Sequence, residues 1–303
     1  MSVDHVRELE ALVRAEKQQR LNNELARKKS AEDEEKRSRL RAIASASYAK
    51  TRMGDEEFVM IPVRNGGACC GKATPGLLAD RATRLAVIVC HPWGPLGGSM
   101  FDLNLSVLLD PFTRAGVTTL RFNFRTGLDC GMGAAADLRA ACEYLLTSTK
   151  PSPPTKLLLV GYSYGSLVVA EVAPTIDACC AFALVAPPLG TLLPLYGLRG
   201  DPTQLAARST KPKLALIGSH DQFCSAKRFE AWSGRLAQPC ESHIMHGPEV
   251  VQQCHSGCEH RKTMPIAHHN VYEVVVDGYL RPWVEQTFGC DMEQLASSDG
   301  STS

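Results

Sequence analysis

The five residues Gly161-Tyr162-Ser163-Tyr164-Gly165 place a hydroxyl nucleophile between two small residues in the spacing G-x-S-x-G. They follow the apolar run Lys156 to Val160 directly and open a helical pattern that ends before Pro174. A strand turning this sharply into a helix needs small residues at 161 and 165, and it thrusts the serine hydroxyl out of the turn. The helix behind it aims its positive end and free N–H groups at the point where an attacked carbonyl gains negative charge. Ser163 is therefore expected to be a nucleophile.

A serine hydroxyl attacks poorly until a histidine removes its proton, and that histidine needs an orienting carboxylate. Where the serine stands on a strand-to-helix turn, the chain order is serine, acid, histidine. The acid belongs on the loop after the next-but-one strand, and Leu214-Ala-Leu-Ile-Gly218-Ser-His-Asp221 supplies Asp221 at that place. Six histidines follow, at 243, 246, 255, 260, 268 and 269. His269 immediately precedes an amphipathic helical pattern, Val271 to Phe288, where the base is expected. His246, at the end of the candidate strand Glu241 to His246, is its rival, and His268 is a third choice. Choosing His269 implies an insertion of about 20 residues, longer than ordinary loops.

Two backbone donors are needed for the oxyanion of an acyl-transfer intermediate. One is the N–H of the residue after the nucleophile, Tyr164. The other is expected from the glycine-rich loop His91-Pro-Trp93-Gly94-Pro-Leu-Gly97-Gly98, with Trp93 the first candidate and Gly94 the next. Glycines leaving a buried strand let the backbone approach a substrate closely.

Taken together, His91-Pro-Trp-Gly-Pro-Leu-Gly-Gly-Ser-Met, Leu120-Arg-Phe-Asn-Phe-Arg125 and Gly161-Tyr-Ser-Tyr-Gly165 resemble the α/β-hydrolase superfamily. Within it the chain looks most like small serine hydrolases with H-P-x-P-x-x-G-G and R-F-N-F-R segments. The resemblance runs from about Phe58 to Trp283. It implies a three-layer fold, a Ser163-Asp221-His269 triad and hydrolysis of an ester-like bond. Two segments depart from the family pattern: Thr126-Gly-Leu-Asp-Cys-Gly-Met-Gly133, and His268-His269-Asn270, where the family tends to have Asp-His-Phe.

Three other clusters invite chemistry. Gly66-Gly-Ala-Cys-Cys-Gly71-Lys72 matches the first seven positions of a phosphate-binding loop, but Ala73 replaces the metal-binding hydroxyl and Thr74-Pro75 blocks the helix that should follow. Arg121 and Arg125 are expected to form structural ion pairs, not an anion site. Cys254, His255, Cys258 and His260 have spacing that could wrap a zinc, yet no second well-spaced pair stands near them; the expected reading is a surface insertion without metal. No cofactor is expected.

These residues need a scaffold, and the chain supplies one. Leu85–Cys90, Thr118–Phe122, Leu157–Val160, Ala181–Val185 and Leu214–Ile217 are continuous apolar runs, as suits strands covered on both faces of a parallel sheet. Phe58–Val63, with its proline, reads as an edge strand. Helical patterns lie between them at Leu103–Ala115, Ala134–Leu146, Ser166–Val172 and Ala226–Leu236. The alternation predicts a three-layer α/β domain over residues 53–290, a mostly parallel sheet with helices on both faces. Residues 1–52 form a charged extension: the first fifty hold 12 Lys/Arg and 9 Asp/Glu with neither Gly nor Pro. It is expected to be helical and partly disordered, with a weak stripe (Val6, Leu9, Val13) for self-association or partner docking. Residues 291–303 are expected to be a mobile tail.

Composition narrows the rest. With 33 Lys plus Arg against 32 Asp plus Glu in 303 residues, no basic field exists to gather nucleic acid. No apolar run reaches the ~18 residues of a membrane span. Twelve scattered cysteines and a charged start are expected of reduced thiols in the cytoplasm. The expected activity is cleavage of a small-molecule carboxylic ester or thioester through an acyl-enzyme on Ser163. The alternative is a non-catalytic protein of the same fold that contacts partners through its N-terminal helix.

Overall fold

The computed structural model of the chain describes residues 56–64, 67–74, 85–125, 133–147, 153–190, 202–245, 272–289 and 291–292. The expected extension over 1–52, nearly all of the expected tail and the cluster from Cys254 to His260 lie outside the described residues. In chain order the elements are β1 (Glu57–Pro62), β2 (Ala68–Thr74), β3 (Leu85–Cys90), α1 (Leu103–Arg114), β4 (Thr118–Phe122), α2 (Ala134–Thr147) and β5 (Lys156–Tyr162). There follow α3 (Tyr164–Val172), β6 (Cys179–Val185), α4 (Pro202–Arg208), β7 (Lys213–Gly218), α5 (Ala226–Ser233) and β8 (Cys240–Met245). A π-helical segment, Tyr272–Leu280, runs into α6 (Arg281–Phe288).

The eight strands form one sheet in the order β1-β2-β4-β3-β5-β6-β7-β8. β1 to β2 and β2 to β4 are antiparallel, and every other neighbouring pair is parallel. All residues of β3 and β7 are buried, which is why those runs show no alternation in sequence. The residues of β3 and β5 divide between two cores. Ala86, Ile88, Leu157 and Leu159 pack with Leu138 of α2, Leu167 of α3 and Trp232 of α5. Val87, Val89, Leu158 and Val160 face the other way, where Leu105, Leu109 and Phe112 of α1 and Val276 and Val284 of the last helix are also buried. The result is the three-layer α/β arrangement that the alternation of elements predicts.

Three elements differ from expectation. The segment resembling a phosphate loop is strand β2, held between β1 and β4, so its backbone amides serve a sheet ladder. Helix α4 carries too short a pattern to have stood out. The last helix starts in π register over Tyr272–Leu280, which the apolar spacing did not foreshadow.

Arg121 is structural, as expected. Its side chain is 1% exposed and pairs with Glu56 through Nε–Oε1 at 2.8 Å and a second nitrogen to Oε2 at 2.6 Å. It also donates to the Met100 carbonyl at 3.1 Å and to Ser106 Oγ at 3.0 Å. Arg125 donates from its backbone and from Nε to the buried carboxylate of Asp137, at 2.8 and 2.6 Å. The eight described cysteines are free thiols. No helix among the described residues is long and apolar enough to cross a membrane.

Candidate active site

Ser163 occupies the single residue between β5 and α3, with φ 52° and ψ −121°. A positive φ costs a residue with a Cβ about 1–3 kcal/mol, and it persists only where the surroundings over-determine it. They do so here. A Cβ on Gly161 would lie 2.4 Å from the Gly165 carbonyl oxygen, and one on Gly165 would lie 2.3 Å from the Cys90 carbonyl oxygen. Both positions therefore demand glycine, and α3 starts in direct contact with the end of β3. The Ser163 N–H donates to the Val185 carbonyl at 2.9 Å, while the Ser163 carbonyl accepts from Ser166 N–H at 2.9 Å and Ser166 Oγ at 2.6 Å. The turn is clamped from β6 and from its own helix.

Tyr164 is the first residue of α3 and is buried, so its N–H belongs to the helix N-terminus beside Ser163. Trp93 leaves the end of β3, whose last residue Cys90 pairs with Gly161 in the parallel ladder. Both oxyanion candidates thus stand on the loops after two adjacent parallel strands. The Trp93 carbonyl accepts from the N–H groups of Leu96 and Gly98, both at 3.1 Å, closing the short 3-10 turn Gly94–Leu96. A Cβ on Gly98 would lie 2.2 Å from the Pro92 carbonyl oxygen, which fixes the loop against itself.

His91 was legible only as part of a motif, and the structure shows what it does. Its Nε2 accepts the buried Phe124 N–H at 3.0 Å, and its Nδ1 lies 2.5 Å from the Pro92 carbonyl. The ring therefore donates from Nδ1 and accepts at Nε2, which fixes it as neutral. Burial agrees, lowering its pKa to about 4. The ring packs on Phe124 at 4.6 Å, and Phe124 packs edge-on against Tyr164 at 5.8 Å. His91 joins the loops after β3 and β4 to the start of α3. A histidine leaving a buried strand, followed by proline, was the only sequence signal for it.

Asp221 stands on the loop after β7, as expected. Its Oδ1 accepts from the backbone N–H of Phe223 at 2.8 Å and of Cys224 at 2.9 Å. That leaves Oδ2 for a further partner. Burial raises its pKa to about 6 against the two opposing amide bonds. The loop after β6 supports this one: a Cβ on Gly190 would lie 2.2 Å from the Phe223 carbonyl oxygen. β5 and β7 are separated by β6 alone, so they lie about 10 Å apart at ordinary strand spacing. An imidazole with a hydrogen bond at each end spans such a gap. His269, His246 and His268 lie outside the described residues, between the end of β8 at Met245 and the helix beginning at Tyr272.

The described residues include no group of three or more His, Cys, Asp or Glu placed to hold a metal ion. Trp93, Ser163, Tyr164 and Asp221 all lie at the C-terminal ends of parallel strands, the edge at which open α/β sheets bind ligands. The arrangement suits acyl transfer, with a raised hydroxyl, a helix N-terminus and a half-buried carboxylate.

Known proteins share the fold. The chain is similar in fold to XC6422 from Xanthomonas campestris, described as an a/b serine hydrolase without lid, at 24% identity over 63% of this chain and 84% of that one, with a TM-score of 0.51. It is similar to the Pyrococcus furiosus esterase Pf2001 at 15% identity, covering 78% of this chain and 93% of that one, with a TM-score of 0.58. It is also similar to Est1E from Butyrivibrio proteoclasticus at 17% identity, covering 77% and 99%, with a TM-score of 0.57. Among curated proteins nothing matches the chain at a significant level. The model of the alpha/beta hydrolase family matches residues 87–285, the stretch that holds β3, β5, β7 and the loops just described, and the chain belongs to that family.

Proposed function

We propose that the chain is a serine hydrolase cleaving a carboxylic ester or thioester through an acyl-enzyme formed on Ser163. Ser163 Oγ attacks the substrate carbonyl while His269 takes its proton, and the oxyanion receives hydrogen bonds from the N–H groups of Tyr164 and Trp93. His269 then gives the proton to the leaving alcohol or thiol, and water repeats the sequence to release the acid. Asp221, through Oδ2, holds the imidazole in its tautomer and offsets the positive charge it acquires. His246 is the alternative base.

The observation that carries the proposal is the backbone of Ser163, held at φ 52° at the mouth of a helix by two glycines pressed onto neighbouring backbone. A fold needing only a turn there has no use for a strained serine. The Pyrococcus furiosus relative in fold is an esterase, which favours the same chemistry.

The substrate is expected to be a short or medium acyl ester. Between β6 and β7 the chain has room for a small flap only. Hydrolysis of p-nitrophenyl esters of increasing chain length tests both parts. Turnover is expected for short and medium chains and its loss in Ser163→Ala; a preference for long chains would overturn the substrate class.

A further inference from the structure

Among the described residues, two that are not glycine hold a positive φ: Ser163 at 52° and Ala186 at 51°. The turn at Ser163 presents a hydroxyl, whereas Ala186 carries no group that could react. A left-handed backbone disfavours any residue with a Cβ. Pro187 presses the residue before it toward extended backbone as well, so Ala186 is strained on two counts. Strain of this kind persists only where the surroundings over-determine it, and it gathers at functional sites.

The peptide unit between Val185 and Ala186 is held at both ends. Its carbonyl accepts the Ser163 N–H at 2.9 Å, and its N–H donates to the Leu216 carbonyl at 2.7 Å. One rigid unit thus ties the turn after β5 to β7, the strand that leads to Asp221. Pro187 and Pro188 follow with fixed φ, and the Leu189 N–H donates back to the Pro187 carbonyl at 2.9 Å. All four residues from Ala186 to Leu189 are buried. The run ends at Gly190, which rests on the Phe223 carbonyl of the Asp221 loop.

The strand registers show what the turn avoids. Tyr162 pairs with Val185 and Val185 with Leu216, so β5, β6 and β7 are level there and Ala186 stands between Ser163 and Ile217. Carried on straight, β6 would advance about 3.3 Å per residue into the gap between Ser163 and Asp221. An imidazole that takes a proton from the serine and donates to the carboxylate must lie in that gap. We propose, on the serine-hydrolase reading above, that Ala186 is a positioning residue for the reaction. Its positive φ turns the chain off the end of β6 and keeps the space over that strand open for the base. The proline pair and the contact of Gly190 with the acid loop hold the chain in the direction the turn sets.

Kinetics of the full chain on a short p-nitrophenyl ester, beside urea unfolding, test this. A β-branched residue resists a positive φ most, so Ala186→Val should push the chain back over β6. At temperatures where the variant is folded, kcat should fall about tenfold or more, with KM within about threefold of wild type. Pro187→Gly leaves the strand end intact and frees the chain beyond it; kcat should again fall severalfold at unchanged KM. Ala186→Gly is the rescuing variant, because glycine takes this φ without strain: it should restore kcat to within about threefold of wild type and raise the urea midpoint. A purely structural residue would move the urea midpoint and leave the kcat of the folded chain alone. Wild-type kcat in both folded Ala186→Val and Pro187→Gly would overturn the proposal, as would a loss in Ala186→Gly as deep as that in Ala186→Val. Either result beside hydrolysis that Ser163→Ala abolishes would overturn this inference alone. A wild-type chain that hydrolyses no ester would overturn the serine-hydrolase reading, and this inference with it.

Discussion

Gly165 rests on Cys90: a side-chain carbon at 165 would lie 2.3 Å from the Cys90 carbonyl oxygen and 2.8 Å from that of His91. The first turn of α3 and the loop carrying Trp93 are therefore packed backbone to backbone. The distance between the two proposed oxyanion donors is set by this contact. Gly165→Ala should force them apart, lowering kcat/KM on a p-nitrophenyl ester about 100-fold and stability by about 1–3 kcal/mol. Steady-state kinetics and urea midpoints check both effects. An alanine variant of normal activity would mean that the contact does not position the donors.

Much of this was legible because the informative residues are locally constrained. Gly161-Tyr-Ser-Tyr-Gly165 follows a run that must be buried, and a tight strand-to-helix turn is the local answer for that order of residues. Asp221 followed from strand counting, and the structure places it on the loop after β7. What escaped was set by pairing at a distance. β2, with the sequence Ala-Cys-Cys-Gly-Lys-Ala-Thr, has little strand propensity of its own and exists because β1 and β4 flank it. The role of His91 depends on Phe124, which is 33 residues away. The base is the part of the site that spacing alone leaves divided among His269, His246 and His268.

Removing His91 should loosen the same corner. In His91→Ala the buried Phe124 N–H loses its acceptor, at a cost of about 1–3 kcal/mol, with activity falling as the loop relaxes. His91 also implies a pH effect. Its folded pKa, about 4, lies below the unfolded 6.5, so the unfolded chain takes up the proton first as pH falls. Wild-type stability should drop by up to about 3 kcal/mol between pH 6.5 and 4 through this group. His91→Gln should show a shallower loss over that window in denaturant titrations. Equal slopes would contradict the neutral, buried ring.

Asp221 should act in the opposite direction. Its folded pKa of about 6 lies above the ordinary 3.8, so the folded chain holds the proton more tightly than the unfolded one. The cost of burying its charge is absent below pH 4 and complete above pH 6, at most about 3 kcal/mol. Asp221→Asn keeps an oxygen for the Phe223 and Cys224 amides and carries no charge. The variant should be more stable than wild type at pH 8, indistinguishable at pH 4, and slower by about 1,000-fold or more in ester hydrolysis. Thermal unfolding at the two pH values, beside kcat, decides it.

The Glu56–Arg121 pair predicts stability without catalysis. Both side chains are almost wholly buried, at 2% and 1% exposure. Glu56→Ala removes the carboxylate that faces a buried guanidinium and should cost about 3–5 kcal/mol. At temperatures where the variant remains folded, kcat/KM should stay within about threefold of wild type, since the pair lies beneath α1 and not at the strand ends that hold Ser163 and Asp221. A selective loss of kcat would assign Arg121 a part in the site that its contacts do not suggest.

The most direct test of Ser163 as nucleophile is covalent labelling. A fluorophosphonate reacts with a serine hydroxyl only where a base and an oxyanion hole activate it. The full-length chain should become labelled in one-to-one ratio at neutral pH, with the adduct mapped by mass spectrometry to the peptide containing Ser163. Labelling should disappear in Ser163→Ala and slow sharply in His269→Ala. A wild-type chain that is folded yet never labels, or a label that persists in Ser163→Ala, would contradict the account.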